Sequence, residues 1–371
     1  MRKGLIFSFD RRMLLYGDWL NFVLILALSI IGLFSVYSAT YRPNLWASTY
    51  FLKQLFGVIT GIGIYLLVFF MNNKALQRWG TICYYITFVL LIFTLIKGSV
   101  GMGAQRWINL GIIKFQPSEL AKLFFPAFFV TSLMPDTQTG STAPRFLPVI
   151  GALILSCLLV LKQPDLGTAV IIFLSGALLL WLANLRTSIF LAAFIVGGIC
   201  APLGWSHLKP FQKQRILVYF GGGASKHERY QIEQSQIAIG SGGIFGKGYL
   251  KGTQNQLSFL PENRTDFIFS VICEETGFVG ALTVILLFCL LFLRALHRIK
   301  QLPSATSQLM AVGLITPLMI AMVVNISMVI GLLPTVGIPL PFITYGITHL
   351  WIGFAGMGWY NNIVTRAALV S

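Results

Sequence analysis

The sequence predicts an all-α polytopic membrane protein with about ten transmembrane helices, organised as a single domain over residues 1–371. Hydrophobic residues make up 56% of the chain and charged residues only 10%, whereas soluble domains carry about 25% charged residues. A soluble fold of this length could not bury so much apolar surface, so much of that surface must face lipid. Apolar runs long enough to span a bilayer also recur along the whole chain.

Ten apolar runs account for the predicted helices, and the fifth and sixth are short for a membrane span. In chain order they cover residues 19–38, 50–71, 79–97, 118–134, 146–161, 167–184, 187–206, 266–294, 308–330 and 346–366. The first run is too long for the apolar core of a cleaved signal peptide, so we expect it to remain as the first span. The five cysteines lie inside these runs, without the spacing of a disulfide framework or a zinc site.

Basic residues in the short connections predict that both termini lie in the cytoplasm. With the N-terminus inside, the inner connections hold more Lys and Arg than the short outer ones, as the positive-inside rule requires. The inner basic residues are Arg2, Lys3, Arg11, Arg12, Lys74, Arg78, Arg145, Arg186, Arg294, Arg298, Lys300 and Arg366. Topology and anionic lipid therefore explain most of the net charge of +16, and nucleic-acid binding is not expected.

A long extracytoplasmic loop, residues 207–265, is predicted between the seventh and eighth helices. It holds eight basic and three acidic residues together with several glycine clusters, and connections of this length usually have a function. Glycines beside Lys247 would let backbone amides and an ammonium group approach an oxyanion, although glycine-rich loops are common. No P-loop pattern is present, so nucleotide binding is not supported.

Polar residues around the start of the fourth predicted helix are the first candidates for a site. Arg106 beside Trp107 fits a phosphate clamp, because guanidinium matches phosphate oxygens, but it also fits ordinary anchoring at the membrane interface. Pro117 suits the first turn of a helix, which places Glu119 and Lys122 on one face. These two residues are interpreted either as a local ion pair or as substrate ligands.

Two carboxylates occupy the starts of later predicted helices. Asp165 lies in a tight outer turn before the sixth helix, where helix N-capping is preferred to catalysis as its role. Asp266 lies where the basic loop meets the longest apolar run, so it would stay ionised and could accept a proton. The alternative is an N-cap made by Thr265 or Asp266. Glu275, nine residues further on, points to the opposite helix face and is expected to pack against a polar group of another helix.

Six motifs in one order match a known family. They read GAQRW, FQPSELAK, QPDLGT, QSQIAIGSGGIFGKG, GTQNQLSFLPENRTDFIFSVICEETG and GIPLPFITYG. Together they resemble the SEDS family (shape, elongation, division and sporulation), and the match extends from the first span to the last helix. GAQRW, FQPSE and IGSGGIFGKG are similar to the rod-shape branch of that family rather than to its division branch.

The resemblance implies a ten-helix fold in the bacterial inner membrane, with both termini cytoplasmic and the active site on the outer face. It implies a peptidoglycan glycosyltransferase that polymerises lipid II for cell elongation and shape. The partners implied are a class B penicillin-binding protein, which is a transpeptidase, and other elongation-complex proteins. It implies no tightly bound cofactor, although members can depend on a divalent cation, Mg²⁺ or Mn²⁺, and we assign no metal ligand.

The resemblance also assigns residues. Asp266 matches the catalytic carboxylate in the TDF motif, while Arg106 and Lys114 match basic positions linked to the lipid-linked substrate. Glu119 and Lys122 match polar positions inside the helix bundle. The predicted substrate-binding set is completed by loop residues, namely Arg215, Gln234, Lys247 and Thr253.

Three positions depart from the family pattern. Ser258 stands where the family often has Glu, and Gly221 stands where it often continues with Asp-Pro. After Tyr345-Gly346 the chain reads Ile347-Thr348-His349, where the family usually has Gly and two Ser. His349 is either a new polar contact or a tolerated substitution, and the second interpretation is preferred.

The resulting hypothesis makes Asp266 the general base. Arg106, Lys114 and a loop cation, either Lys247 or Arg215, would neutralise the diphosphate leaving group, and the glycine-rich segment would let the loop close over the sugar. A transporter that flips lipid-linked precursors is the alternative, although no inverted repeat is visible. A third interpretation is a scaffold that only recruits the transpeptidase.

Overall fold

The computed structural model describes residues 11–43, 46–101, 104–109, 111, 114–133, 146–207, 210–220, 222, 226–257, 259–260 and 262–370. Within these residues the protein is mostly helical, with fourteen helices. They are α1 (Arg12–Tyr16), α2 (Trp19–Ala39), α3 (Thr49–Phe70), α4 (Asn73–Lys97), α5 (Pro117–Leu133), α6 (Phe146–Lys162), α7 (Leu166–Leu182), α8 (Thr187–His207), α9 (Pro210–Tyr219), α10 (Lys226–Gly242), α11 (Thr253–Gln256), α12 (Ile268–Lys300), α13 (Ala305–Val329) and α14 (Ile347–Val370). Ser258 and Gly221 lie outside the described residues.

Each of the ten predicted apolar runs coincides with one of the helices α2 to α8 or α12 to α14. Five of these helices, α2, α3, α4, α12 and α13, are long and apolar enough to cross a membrane. Shorter apolar helices follow at α6, at α7 and at Thr187–Cys200 within α8. The helix positions were therefore predicted correctly, while the count of ten crossings stays a prediction.

Helices α3 and α14 pack closely because glycines line their contact. A side chain at Gly61 would overlap the ring of Phe354, and a Cβ at Gly358 would lie 2.6 Å from the carbonyl oxygen of Tyr65. Small residues of this kind let membrane helices approach each other without a hydrophobic driving force. Helix α14 consequently reaches the centre of the bundle, where Leu350 and Phe354 are fully buried.

A buried polar cluster ties the beginning of α2 to the ends of α12 and α14. The Asp18 carboxylate, which is completely buried, lies 2.9 Å from Arg294 Nε and 3.8 Å from Arg298 Nε. The backbone N–H of Asp18 donates to Asn361 Oδ1, and Asn361 Nδ2 donates to the Tyr65 hydroxyl at 2.6 Å. The cluster fixes one end of the bundle, opposite to the end where α3, α5, α7, α12 and α14 begin.

Helix α12 is interrupted at Gly277, whose φ is 68° and ψ is −162°. The glycine-rich segment after α10 fills this break with hydrogen bonds: Phe278 N–H donates to the Gly243 carbonyl, and Lys247 N–H donates to the Glu274 carbonyl. Non-helical backbone needs such partners at membrane depth. The glycines after α10 therefore allow a close backbone approach, which gives them a structural role in addition to the anion-binding role that the sequence suggested.

The predicted long loop is largely helical in its described part, because α9, α10 and α11 all lie within 207–265. Helix α10 packs on α12, where the hydroxyls of Ser235 and Ser270 lie 2.8 Å apart and Ser235 also donates to the Val329 carbonyl. Although this segment is rich in charged residues, one face of α10 carries small and apolar residues. The sequence predicted a long loop here and did not predict these three helices.

A small antiparallel sheet connects α4 to α5 and departs from the all-α prediction. Its strands are β1 (Ser99–Gly101), β2 (Ala104–Asn109) and β3 (Lys114–Phe115), in the order β1-β2-β3. Asn109 pairs with Lys114 and Ile108 pairs with Phe115. The sheet holds Arg106 and Lys114 on one hairpin, which is why the sequence around them shows no helical period.

Replacing Gly242 with alanine should lower the stability of the fold. A Cβ there would overlap the carbonyl oxygen of Cys273 on α12, and such overpacking costs about 1–3 kcal/mol. The matched control is Gly240→Ala on the same helix, since nothing lies within 4 Å of that Cβ. Thermal unfolding in detergent should show a lower midpoint for Gly242→Ala and an unchanged or higher midpoint for Gly240→Ala. Equal midpoints for the two variants would contradict the close packing of α10 on α12.

Candidate active site

A cavity of about 530 Å³ lies at the end of the bundle where several helices begin. Helices α3, α5, α7 and α14 each begin within three residues of its wall, and α12 begins two residues after Asp266. The wall is formed by Tyr50, Lys53, Arg106, Trp107, Asn109, Gly111, Lys114, Gln116, Glu119, Thr168, Glu262, Arg264, Thr265, Asp266, Gly337, Pro339, Thr344, Tyr345, Gly346, Ile347, Thr348 and His349. Helix N-termini carry partial positive charge, so five of them around one cavity favour an anionic ligand.

Asp266 lies on the turn that precedes α12 and lines the cavity. The N-cap position of α12 is Phe267, whose side chain makes no capping hydrogen bond. The Thr265 hydroxyl instead donates to Glu262 Oε2 at 3.0 Å. Neither Thr265 nor Asp266 therefore occupies the N-cap position that the alternative interpretation gave them.

The backbone of Asp266 is held by α13 and by the segment before α14. Asn325, which is fully buried on α13, donates from Nδ2 to the carbonyl oxygens of Asp266 at 3.0 Å and Ile338 at 2.7 Å. Next to Ile338, Gly337 has a φ of 71°, and a Cβ there would lie 3.4 Å from Asp266 Oδ2. The segment around Gly337 thus passes close to the Asp266 carboxylate. Asn325 holds the backbone of both Asp266 and this segment.

Asp165 has a larger role than capping. Its Oδ1 accepts from the Thr168 backbone N–H at 3.3 Å, which confirms the predicted N-cap of α7. The same carboxylate accepts from Gln116 Nε2 at 2.7 Å and lies 3.2 Å from Arg106 Nη1. Asp165 is buried, whereas the Arg106 side chain is 18% exposed. Asp165, which does not belong to the cavity wall, therefore orients the Arg106 side chain, which does.

The Glu119 carboxylate, at the first turn of α5, accepts hydrogen bonds from two side chains. Lys122 Nζ donates to Oε1 at 2.6 Å, which confirms the ion pair that the spacing predicted. His349 Nδ1 lies 3.2 Å from Oε2, and because an ionised carboxylate only accepts hydrogen bonds, this nitrogen carries the proton. His349 is thus a new polar contact, which the sequence interpretation had placed second to a tolerated substitution.

The predicted loop residues do not join the cavity wall in the described part of the chain. Lys247 Nζ donates to Glu274 Oε1 at 2.8 Å and to Thr253 Oγ1 at 2.8 Å, and Thr253 also donates to Glu274. Gln234 lies half-buried on α10, and Arg215 lies on α9 with its side chain outside the described residues. The cavity brings together Arg106, Lys114, Glu119 and Asp266, with Lys122 directly behind Glu119.

Glu275 packs as the sequence predicted. The Ser38 hydroxyl of α2 donates to Glu275 Oε1, and Asn255 Nδ2 donates to the Ser38 carbonyl at 3.1 Å. Asn255 in turn accepts from Asn263 Nδ2 at 2.8 Å, three residues before Asp266. This chain of hydrogen bonds connects α2 to the turn that carries Asp266.

The cavity wall holds a second basic group, which the sequence did not predict. Lys53 on α3 and Arg264 on the turn before α12 both line it, and the guanidinium carbon of Arg264 lies 4.1 Å from the centre of the Tyr50 ring. Tyr345 meets the Tyr50 ring edge-on at 5.4 Å. Burial raises the pKa of Tyr345 above its ordinary value, so this phenol stays protonated near neutral pH. Arg264 belongs to the same motif as Asp266, but nothing in the sequence connects it to Lys53.

Comparison with known proteins gives matches over nearly the whole chain. The family model for FtsW, RodA and SpoVE, whose description is "cell cycle protein", matches residues 18–368. Peptidoglycan glycosyltransferase MrdB of Escherichia coli K12 is 36% identical over 321 residues, which is 86% of each chain. Rod shape determining protein RodA of Thermus thermophilus has a similar structure, with a TM-score of 0.69 and 25% identity over 94% of this chain and 97% of that one. A chain of a peptidoglycan synthase complex, described as coordinating polymerization and crosslinking, matches with a TM-score of 0.76 and 24% identity over 95% and 98%.

Replacing Asp165 with asparagine should destabilise the protein, because it leaves the partly buried Arg106 without its counter-charge. Asparagine still caps a helix well, so the change keeps the N-cap but removes the ion pair together with an acceptor for Gln116 and the Thr168 hydroxyl. Removing one partner of a buried pair costs about 3 kcal/mol or more, and thermal unfolding should show the loss. The double variant Arg106→Gln/Asp165→Asn should regain part of it. A double variant less stable than Asp165→Asn alone would show that the pair is not coupled.

Proposed function

The chain belongs to the FtsW, RodA and SpoVE family of cell cycle proteins, and we propose that it polymerises lipid II with Asp266 as the general base. It is a multi-pass membrane protein and a peptidoglycan glycosyltransferase, as its curated relatives are named. Their similarity also supports a role in cell shape, since RodA is a rod-shape protein by name. The observation that carries the proposal is the Asp266 carboxylate in a cavity whose wall also holds four cations, Lys53, Arg106, Lys114 and Arg264.

The proposed reaction joins two lipid-linked molecules. The acceptor sugar hydroxyl attacks the anomeric carbon of the donor, a new glycosidic bond forms, and the bond from that carbon to the lipid diphosphate breaks. The diphosphate leaves with the bonding electrons, while Asp266 takes the hydroxyl proton. A positioned base of this kind typically contributes about 10²–10⁴-fold to the rate. Asn325 would keep the carboxylate in place through the Asp266 carbonyl.

Negative charge grows on the diphosphate as the bond breaks, so positive groups nearby stabilise the transition state. Arg106 and Lys114 suit this role, since both line the cavity on one hairpin and Asp165 orients Arg106. Lys247 suits it less well, because its ammonium group is bound by Glu274 outside the cavity wall. Arg215, Gln234 and Thr253 remain proposals for substrate contacts made by the segment between α8 and α12.

A divalent cation, Mg²⁺ or Mn²⁺, would neutralise further diphosphate charge if it is required. Among the residues that the structure describes, no group of three or more His, Cys, Asp or Glu side chains could hold a metal ion. Mg²⁺ is commonly bound by one or two carboxylates together with substrate phosphates. Asp266 and Glu262, which line the same cavity, fit a cation that arrives with the substrate.

We further propose ten crossings of the bacterial inner membrane, with cytoplasmic termini and the cavity on the outer face. The support is that α3, α5, α7, α12 and α14 all begin near the cavity, while the basic connections predicted to be cytoplasmic lie at the other helix ends. An outer cavity matches the compartment in which peptidoglycan is built. A lipid-anchored substrate would then reach the site from within the bilayer.

A class B penicillin-binding protein is the proposed partner, together with other proteins of the elongation complex. The support is the structural similarity to a peptidoglycan synthase complex that couples polymerization to crosslinking. Newly made glycan would leave the cavity close to a transpeptidase that crosslinks it. Fluorescence-detected copurification of the chain with a candidate transpeptidase tests this point.

Replacing Asp266 with asparagine should reduce polymerisation of labelled lipid II at least 10²-fold, because the side chain can no longer accept the proton. The assay uses purified full-length protein with its transpeptidase partner and resolves products by gel. Asp266→Glu should recover part of the activity. The matched control is Glu233→Gln, an exposed carboxylate on α10 that is paired with Arg229 and should leave activity unchanged.

Two results would contradict the proposal. Normal polymerisation by Asp266→Asn would remove Asp266 as the base. Translocation of labelled lipid II across a vesicle membrane without any polymerisation would instead support the alternative, a transporter of lipid-linked precursors. Unchanged growth of cells that carry Asp266→Asn and Arg106→Gln would favour a scaffold.

A further inference from the structure

The first turn of α14 contacts the strand and helix that carry the cations of the cavity wall. We propose that Thr348 and His349, on this turn, are positioning residues that hold Lys114 at a fixed place relative to Asp266. This role rests on the proposed function, in which Lys114 stabilises the leaving diphosphate and Asp266 is the base. Both residues belong to the stretch where the sequence departs from the family pattern.

Thr348 and His349 hold the two ends of one short segment, residues 114–119. The Thr348 hydroxyl donates to the Lys114 carbonyl at 3.1 Å, and His349 Nδ1 donates to Glu119 Oε2 at 3.2 Å. Both α14 residues are buried, so water does not readily replace either contact. Because the two residues are consecutive on a rigid helix, a shift of the 114–119 segment along α14 would disturb both hydrogen bonds together.

Other polar contacts of the 114–119 segment lead elsewhere. Glu119 also accepts from Lys122, which belongs to the same helix, α5. Gln116 donates to Asp165 at 2.7 Å, just before α7. Neither contact reaches α14, so the polar attachment of the segment to α14 depends on the two hydrogen bonds from its first turn.

The residues just before α14 hold the turn that carries Asp266. The Thr344 hydroxyl donates to the Thr265 carbonyl at 3.2 Å, and the Tyr345 N–H donates to the Arg264 carbonyl at 3.1 Å. Both acceptor residues directly precede Asp266 in the chain. One stretch of six residues therefore holds this turn at its beginning and the 114–119 segment at its end.

A fixed separation of base and cation matters in the proposed reaction. The Asp266 carboxylate takes the proton while the Lys114 ammonium stabilises the charge on the diphosphate, and both side chains line one cavity. A displacement of about 1 Å in such a site can cost about 10²-fold in rate. The stretch that joins the two is itself anchored, because Gln54 on α3 accepts from the Gly346 N–H at 3.1 Å.

Affinity for farnesyl diphosphate, a short soluble lipid diphosphate, tests this role by calorimetry of the full-length protein in phosphatidylcholine nanodiscs. Lys114→Gln should weaken binding about tenfold or more, because it removes a charged ligand. Thr348→Val removes only the hydroxyl and should weaken binding about twofold to tenfold. His349→Ala should act in the same way, which keeps the role testable if one of these two variants does not fold.

Matched variants separate positioning from a general loss of packing. In the Lys114→Gln background, Thr348→Val should cause no further loss, because contacts that act through one group are not additive. Thr348→Ser and His349→Asn each retain a hydrogen-bond donor and should restore most of the affinity. Thr87→Val removes a buried hydroxyl that donates to a carbonyl of its own helix, α4, and should leave the affinity unchanged.

Three distinguishable results would overturn this role. Unchanged affinity in both Thr348→Val and His349→Ala, when Lys114→Gln has lost binding, would show that α14 does not position Lys114. An equal loss for Thr348→Val with and without Lys114→Gln would show a general structural effect instead. Unchanged affinity in Lys114→Gln would remove Lys114 from the proposed function, and the positioning role with it.

Discussion

Backbone groups inside a membrane need hydrogen-bond partners, and this requirement controls how the turn that carries Asp266 is built. Residues 262–267 are not helical, so the carbonyls of Arg264, Thr265 and Asp266 need partners from other segments. Asn325 donates to the carbonyl of Asp266, the Thr344 hydroxyl donates to that of Thr265, and the Tyr345 N–H donates to that of Arg264. The partners that satisfy the backbone therefore also determine where the carboxylate lies.

The same requirement links the turn to the rest of the bundle. Gln54 on α3, which is fully buried, donates to the Thr344 carbonyl at 3.1 Å and accepts from the Gly346 N–H at 3.1 Å. The segment before α14 is thus fixed between α3 and the turn. A shift of α3 against α14 would move the Asp266 backbone as well as the ring beneath Arg264. The glycine-lined contact between α3 and α14 consequently limits movement at the cavity.

Local patterns predicted much of this structure, whereas long-range pairing escaped them. Apolar runs located the ten long helices, and three-residue spacing predicted the pair Glu119–Lys122. Lys247 was expected in the site, but its partner Glu274 lies 27 positions away. Lys53 and Arg264 are separated by most of the chain, so only the folded cavity brings them together. The helix α10 was missed because its buried face is short and its sequence is polar.

Charge placement explains why the cavity can hold both an acid–base group and anionic ligands. The neighbouring carboxylates Glu119 and Asp165 are buried and already bound by Lys122, His349, Gln116 and Arg106. Glu274 is likewise bound by Lys247 away from the cavity wall. These pairings remove much of the negative charge that would repel a phosphate, while the helix N-termini add positive potential. Asp266 therefore shares the cavity wall with four cations, while the carboxylates of Glu119 and Asp165 beside it are already bound within the protein.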